Sequence, residues 1–409
     1  MSPLARAAGK PAARRPGARL SVKLTAAAVS TLVALLVLEA GVRLVLPQDP
    51  DYFNWQKIKR WSTRPGWTWE LIPGARNDSY AGAPVVVNSL GLRDRELTVP
   101  KPPGTLRILG VGDSVAFGYG VRLEETFLKV LEARLNTEAT NSRRWEVVNG
   151  GIEGTDLAHY YNFIRGEAER FEPDLVLVSF VLNDIALYDA DGPVPVKVRG
   201  QSPSATSLGL VRRVNAALLL HSHLYLASYT SLKSLLYRAG VLDITRVHDA
   251  DYLPVEPPSE RQARAWASTL KLLSRLVALT RERGYPLVLV VFPMEVQLSP
   301  TIRDLFRERF GMALDPNVLQ AIPQRRLREF AARHGVPIVD LLPAFRNAAD
   351  QPLFRDKTVT FDPVHPTPSG HRVAADALYE ALSATVLTRL PAKAGAGRGL
   401  DHLHARTSR

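Results

Sequence analysis

The chain has 409 residues, of which 46% are hydrophobic and 22% charged, so it can bury a core and is not a disordered, collagen-like or coiled-coil protein. It contains no cysteine, which excludes disulfides, thiolate nucleophiles and cysteine-ligated metals and leaves oxygen or nitrogen as the catalytic nucleophile. Of the net charge of +12, residues 1–23 carry +6 and residues 391–409 carry +3. The middle of the chain is therefore nearly neutral, and no nucleic-acid partner is expected.

Residues 24–46 are predicted to form a single transmembrane helix that follows a basic cytoplasmic arm, residues 1–23. The stretch Leu24–Leu38 contains no charge, and only Glu39 and Arg43 interrupt the apolar run to Leu46. At about 1.5 Å per residue such a helix crosses a hydrocarbon core of about 30 Å. The basic arm predicts a cytoplasmic N-terminus and an extracytoplasmic remainder. A signal peptide, although Leu38 is too bulky for its cleavage site, and a buried soluble helix are the alternatives.

Residues 47–98 form a juxtamembrane segment that is rich in aromatic side chains. Four of the six tryptophans of the chain lie within it: Trp55, Trp61, Trp67 and Trp69. Two interpretations stay open. The aromatic rings either lie at the level of the lipid headgroups or pack on the globular body.

Residues 99–390 alternate between short apolar runs and helical patterns. Strands are predicted at 106–111, 145–149, 174–181, 286–292 and 336–341. Helices are predicted near 124–135, between the second strand and about residue 170, and at 258–283, 318–334 and 369–390. This alternation predicts an α/β fold with a doubly wound parallel sheet and helices on both faces. Ligands of such sheets bind beyond the carboxyl ends of the strands.

Two segments depart from this alternation. Residues 185–258 are too long for an ordinary connection and are interpreted as an insertion, either a lid, a membrane-facing attachment or a structural excursion. Residues 391–409 are predicted to be a disordered tail.

Chemically competent residues follow the predicted strands. Ser114 stands at the turn after the first strand, where a helix N-terminus stabilises negative charge. Gly154 lies in a glycine-rich loop after the second strand, and Asn183 follows the third. Asp362 stands three residues before His365, so its carboxylate can hold imidazole Nδ1–H and leave Nε2 as the base. We therefore predict a Ser114–His365–Asp362 triad whose oxyanion hole consists of the Ser114 and Gly154 backbone N–H groups and the Asn183 amide.

Other interpretations of these residues fit less well. The run Gly112-x-Ser114-x-Ala116 is close to the nucleophile elbow of α/β-hydrolases. In that fold the elbow serine follows a central strand of the sheet, whereas Ser114 follows the first predicted strand, and the acid and base here share one turn. A dinucleotide fingerprint beginning at Gly110 fails because Val115 occupies the third glycine position.

No cofactor is expected, although a metal site formed by Asp113, Asp184 and His365 stays an alternative. The pair His221 and His223 lies on an apolar helical stretch and is interpreted as packed or solvated.

The ordered blocks resemble those of SGNH/GDSL-family hydrolases, whose key serine, glycine, asparagine and histidine correspond here to Ser114, Gly154, Asn183 and His365. The resemblance covers about residues 85–390, and the stretch 88–94 (NSLGLRD) resembles membrane-anchored bacterial members. It implies a flavodoxin-like three-layer α/β/α sandwich of about five parallel strands.

Two positions depart from the family pattern. Val181 replaces the usual glycine of the third block and could reshape the loop beside Asn183. Val115 stands where the first block usually has leucine. Neither change removes a catalytic atom.

The sequence thus predicts a membrane-anchored serine esterase that cleaves an acylated small molecule, glycan or lipid outside a bacterial cytoplasmic membrane. The first alternative is an O-acyltransferase that delivers the same acyl-enzyme to a polysaccharide hydroxyl. The second is a non-catalytic envelope scaffold.

Overall fold

A computed structural model describes residues 16–138, 144–198, 214–215, 217–229, 257–310, 314–355 and 362–385. Most of the predicted basic arm, much of the insertion and the whole predicted tail lie outside these residues. The structural statements below concern the described residues.

The first described element is helix α1, Pro16–Val45. Its stretch Ser21–Val45 has 25 residues, a mean hydropathy of 2.0 and no buried part, so it is long and apolar enough to cross a membrane. A signal sequence has the same properties. The helix agrees in position with the predicted span 24–46.

Two short antiparallel strand pairs follow α1. Strand β1, Lys59–Trp61, pairs with β2, Trp69–Leu71, and β3, Arg76–Asn77, pairs with β4, Val85–Val86. They enclose a small apolar cluster whose buried members are Ile58, Leu71, Tyr80, Val85, Val87, Phe117 and Ile152. Because Phe117 and Ile152 belong to the globular body, residues 47–98 pack on that body.

The tryptophans show which of the two interpretations of this segment applies. Trp55, Trp67 and Trp69 pack against the buried clusters, whereas Trp61 leaves 57% of its surface exposed. Buried Arg93 further ties the segment to the body by donating to the carbonyls of Phe117, Gly118 and Val121. Packing on the globular body is therefore what the structure shows for three of these four tryptophans.

Five parallel strands form the central sheet: β5, Thr105–Gly112; β6, Arg144–Asn149; β7, Leu175–Val181; β10, Leu287–Phe292; and β11, Ile338–Asp340. Their order is β11-β10-β7-β5-β6, the flavodoxin-like order. Every residue of β5 and β7 is buried, as expected for inner strands covered on both faces. All five predicted strands are confirmed, and the direction in which successive strands are added to the sheet reverses between β5 and β7.

Helices cover both faces of the sheet and complete three layers. They are α2, Ser114–Phe117; α3, Phe127–Glu138; α4, Leu157–Phe171; α5, Glu260–Glu282; α6, Pro300–Phe310; α7, Pro316–His334; α8, Leu342–Asn347; and α9, Pro368–Thr385. Helices α3 and α9 pack together in one layer, and α4 and α5 in the other. The sequence analysis did not predict α6 and α8, which are short.

The described part of the insertion includes a hairpin of β8, Tyr188–Asp189, and β9, Val196–Lys197, and a helical stretch within 217–229. That stretch contacts α1. The Glu39 carboxylate accepts hydrogen bonds from the backbone N–H groups of His223 and Leu224, both at 2.9 Å, and Arg43 donates to the carbonyl of His221 at 2.7 Å. The insertion therefore docks on the C-terminal end of the apolar helix.

Candidate active site

Ser114 is placed by the turn between β5 and α2. The Asp113 side chain caps α2 by accepting a hydrogen bond from the backbone N–H of Val115 at 2.8 Å. Ser114 is consequently the first residue of the helix, at the carboxyl edge of the sheet. Its side-chain oxygen lies 2.7 Å from His365 Nε2.

His365 and Asp362 meet on one turn before α9. His365 Nδ1 lies 2.7 and 2.8 Å from the two carboxylate oxygens of Asp362, and the backbone N–H groups of Val364 and His365 also donate to this carboxylate. Burial raises the pKa of Asp362, but the charge of His365 and these hydrogen bonds outweigh it and hold the pKa below its usual value. A charged Asp362 accepts Nδ1–H and leaves Nε2 to accept a proton from Ser114.

Contacts on both sides hold this turn. The backbone N–H of Glu295, just after β10, donates to the carbonyl of Pro363 at 2.9 Å, and Arg355 N–H donates to the carbonyl of His365 at 3.1 Å. Gly370 lets α9 approach closely, because a Cβ there would lie 2.3 Å from the Leu353 carbonyl oxygen. The turn is thus fixed by strand β10 and by the chain before α9.

The glycine-rich loop after β6 lies against α2. A Cβ on Gly151 would lie 2.3 Å from the backbone nitrogen of Phe117, so only glycine permits this approach. The N–H of Ile152 donates to the carbonyl of Gly112 at 3.2 Å. Gly154 has φ +81, a left-handed conformation that favours glycine. These contacts bring the predicted oxyanion loop next to the turn that carries Ser114.

Asn183 follows β7, the strand that pairs with β5, which Ser114 follows. Its side-chain Nδ2 donates to Asp113 Oδ2 at 3.2 Å, so Asp113 orients both the helix that begins at Ser114 and the Asn183 amide. Val181, which replaces the usual glycine, is buried at the extended end of β7, with φ −114 and ψ 153. The extended backbone is open to any residue, and the substitution leaves Asn183 beside the nucleophile turn.

The alternative metal site finds no support among the described residues, which contain no group of three or more histidine, aspartate or glutamate side chains that could hold a metal ion. His365 is instead bonded to Asp362 and Ser114. His223 Nδ1 accepts a hydrogen bond from the backbone N–H of Gln48 at 2.9 Å, a packing contact near the end of α1.

The sequence analysis missed Tyr119, whose ring lies 4.5 Å from the ring of His365. Burial raises the pKa of Tyr119 to about 12, so the phenol stays neutral at physiological pH. Its position between two glycines, Gly118 and Gly120, is the one signal in the sequence that could have indicated it.

The sequence analysis also missed Lys59, which is buried behind the predicted oxyanion loop. Lys59 Nζ donates to the backbone carbonyl of Glu153 at 3.0 Å and forms an ion pair with the carboxylate of the same residue. That carbonyl belongs to the peptide group whose N–H is that of Gly154. Burial lowers the pKa of Lys59 to about 7. No motif indicated this lysine, because its role depends on a contact between residues 94 positions apart.

The flavodoxin-like sheet, with a hydroxyl, an imidazole and a carboxylate in contact at its carboxyl edge, defines an α/β enzyme of the hydrolase class. The chain belongs to the GDSL-like Lipase/Acylhydrolase family, whose sequence profile matches residues 111–373. It is therefore a hydrolase that acts on ester bonds, and the resemblance stated from its sequence is confirmed.

Solved structures with a similar fold include a lipolytic G-D-S-L protein from Veillonella parvula DSM 2008, with 15% identity and a TM-score of 0.36, covering 70% of this chain and 100% of that one. A catalytic mutant of Axe2, an acetylxylan esterase from Geobacillus stearothermophilus, shares 14% identity at a TM-score of 0.36, over 68% and 94% of the two chains. The esterase EstA from Pseudoalteromonas sp. shares 13% identity at a TM-score of 0.36, over 68% and 97%. No curated relative matches the chain.

Proposed function

We propose that the chain is a membrane-anchored serine esterase whose catalytic domain faces the outside of the cytoplasmic membrane, where it cleaves carboxylic esters of envelope glycans or lipids. Ser114 is the nucleophile, His365 the general base, and Asp362 the group that orients and stabilises the imidazole. The Ser114 and Gly154 N–H groups and the Asn183 amide form the oxyanion hole.

The reaction proceeds in two halves. Ser114 Oγ attacks the ester carbonyl while its proton passes to His365 Nε2, and the carbonyl oxygen becomes an oxyanion held by the three donors. The oxyanion collapses, the C–O bond to the alcohol breaks, and His365 returns the proton to the leaving alcohol. Water then attacks the acyl-enzyme and loses its proton to His365, which passes that proton to Ser114 Oγ as the bond to the acyl group breaks and the acid is released.

One observation carries the catalytic part of the proposal. A continuous hydrogen-bonded chain joins Asp362, His365 and Ser114, although the last two are 251 residues apart in sequence. The lowered pKa of Asp362 keeps its carboxylate charged, so imidazolium formation on His365 is stabilised during attack.

Labelling with a fluorophosphonate tests the nucleophile. The full-length protein in detergent is expected to bind one equivalent of the reagent, and Ser114→Ala and His365→Ala are expected to bind none while keeping the wild-type circular dichroism spectrum. Labelling that persists in Ser114→Ala would refute the assignment.

Product analysis separates hydrolysis from acyl transfer. A hydrolase releases p-nitrophenol from p-nitrophenyl acetate steadily without an acceptor, because water discharges the acyl-enzyme. A transferase releases one equivalent and continues only when a polysaccharide hydroxyl is added.

The apolar helix α1 supports the anchor, and the basic residues before it support a cytoplasmic N-terminus. Because the chain lacks cysteine, one introduced cysteine reports the side of the membrane on which it lies. Glu169→Cys, at a position 83% exposed, is expected to react with a membrane-impermeant maleimide in intact spheroplasts, and Ser2→Cys only after permeabilisation. The reverse result would contradict this orientation, and a chain that separates from membranes after cleavage near residue 40 would indicate a signal peptide.

A further inference from the structure

A cavity of about 710 Å³ opens beside the candidate oxyanion loop, within the range of roughly 300–1,000 Å³ of small-molecule sites. Gly154 is one of its lining residues, as are Trp61 and Trp67 of the aromatic segment. The loop that carries Gly154 lies against the turn of Ser114. A ligand in this cavity can therefore extend a substituent towards the nucleophile.

Trp61 presents a rigid, flat, half-exposed surface at this cavity. Its ring stacks on that of Trp69 with centroids 3.7 Å apart, and Trp69 in turn contacts Trp55 edge to face at 4.9 Å. A tryptophan that is 57% exposed yet held by a ring stack does not fill the core. It offers a fixed apolar face to a ligand.

Trp67 is also held in place. The Arg64 guanidinium lies 4.8 Å from its ring centroid, and the His159 ring contacts it edge to face at 4.7 Å. Two fixed indoles therefore line the cavity without the entropy cost of ordering a mobile side chain on binding.

Five of the remaining lining residues are polar, and three are apolar or glycine. The polar ones are Ser62, Thr68, Thr155, Asp156 and Lys197, and the others are Gly66, Ala158 and Val196. A fatty acyl chain would withdraw the exposed Lys197 ammonium from water without replacing its hydrogen bonds, at a cost in affinity. A pyranose ring has apolar C–H faces that can stack on indole and equatorial hydroxyls that can bond to such a rim.

We propose that this cavity is a carbohydrate subsite: a pyranose of an O-acylated glycan stacks on Trp61, beside Trp67, and directs its ester towards Ser114. This inference rests on the proposed esterase function and selects glycan over lipid as the substrate class. Val196 and Lys197 come from the insertion, so two lining residues of the subsite belong to that segment.

Binding is tested apart from catalysis. Full-length Ser114→Ala protein in detergent is titrated calorimetrically with cellotetraose, xylotetraose and chitotetraose. At least one tetrasaccharide is expected to bind, and adding Trp61→Ala is expected to weaken binding at least tenfold. Trp61→Phe, which keeps a flat ring, should restore most of it. Binding of none of the three, or equal binding with and without Trp61, overturns the proposal even if the esterase assignment stands.

Turnover tests the link to the ester. The ratio of kcat/KM for the acetylated form of the bound tetrasaccharide to that for p-nitrophenyl acetate is expected to fall at least tenfold in Trp61→Ala, mainly through KM. Val86→Ala, at an exposed position of the same segment outside the cavity, should leave the ratio unchanged. If p-nitrophenyl laurate is the better substrate and Trp61→Ala impairs it instead, the site is lipid-binding and the proposal is wrong. If the wild-type protein neither turns over any ester nor reacts with the fluorophosphonate, the esterase function itself is contradicted.

Discussion

The carboxyl edge of the parallel sheet and the aromatic segment 47–98 contribute to the site in different ways. At the sheet edge, Ser114 and Asn183 follow neighbouring inner strands, so the backbone order of β5 and β7 itself brings their side chains together. In the aromatic segment, the three-residue strands β1 and β2 pair, and the side chains of Lys59 and Trp61 both contact the Trp69 ring. The chemistry thus depends on topology that a point mutation leaves intact, whereas placement of the loop and the ligand depends on individual side chains.

This comparison predicts that changes at the sheet edge reduce turnover of every ester. The largest effect in this series is expected for Asp362→Asn, which removes the carboxylate that accepts Nδ1–H and stabilises the imidazolium. We expect kcat to fall by about 10³–10⁴ for p-nitrophenyl acetate. Steady-state kinetics and a thermal melt check it, and a loss below tenfold with an intact fold would contradict the role of Asp362.

A second sheet-edge change is Asn183→Ala, which removes one oxyanion donor. The expected loss is about 10²–10³ in kcat, because that donor acts on charge that develops only in the transition state. Asn183→Asp is the matched variant, since it keeps the shape and places a carboxylate beside Asp113 and the oxyanion. A change below threefold in Asn183→Ala would mean that Asn183 is not a donor.

Lys59 tests whether the aromatic segment also influences the chemistry. Its ammonium polarises the peptide between Glu153 and Gly154, which strengthens the Gly154 N–H as a donor. Lys59→Met is expected to lower kcat about tenfold with little change in KM, since the lost interaction strengthens towards the transition state.

The pH profile distinguishes this role from a structural one. With its pKa lowered to about 7, Lys59 is charged below that pH and loses its proton above it. The ratio of wild-type to Lys59→Met kcat is therefore expected to be largest below pH 7 and to decline as the pH rises through 7. A ratio independent of pH would indicate that Lys59 only supports the fold.

The smallest effect is expected at the contact between the insertion and α1. Glu39→Ala removes the carboxylate that accepts from the N–H groups of His223 and Leu224, and losing such a cap costs about 1 kcal/mol. Hydrogen exchange at these two amides should quicken about fivefold, with p-nitrophenyl acetate turnover unchanged. Glu39→Gln keeps an acceptor oxygen and is the control. Unchanged exchange in Glu39→Ala would mean that this contact does not hold the insertion.

The sequence by itself determined the layered α/β architecture, because buried parallel strands are continuous apolar runs and the helices between them have a 3.6-residue period. Each predicted strand is present within about two residues. The sequence also predicted that the candidate residues lie at one edge of the sheet, because side chains that follow parallel strands meet there. The pairing of Asp362 with His365 could be predicted because they share one turn.

Only the tertiary structure decided what depends on contacts between distant parts of the chain. The aromatic segment allowed two interpretations, since tryptophan suits a membrane interface and a protein core equally well. Packing of Ile58 and Leu71 against Phe117 and Ile152 distinguished them. The same holds for Lys59 behind Gly154 and for Glu39 at the insertion, because no local pattern records which carbonyl or N–H a side chain will meet after folding.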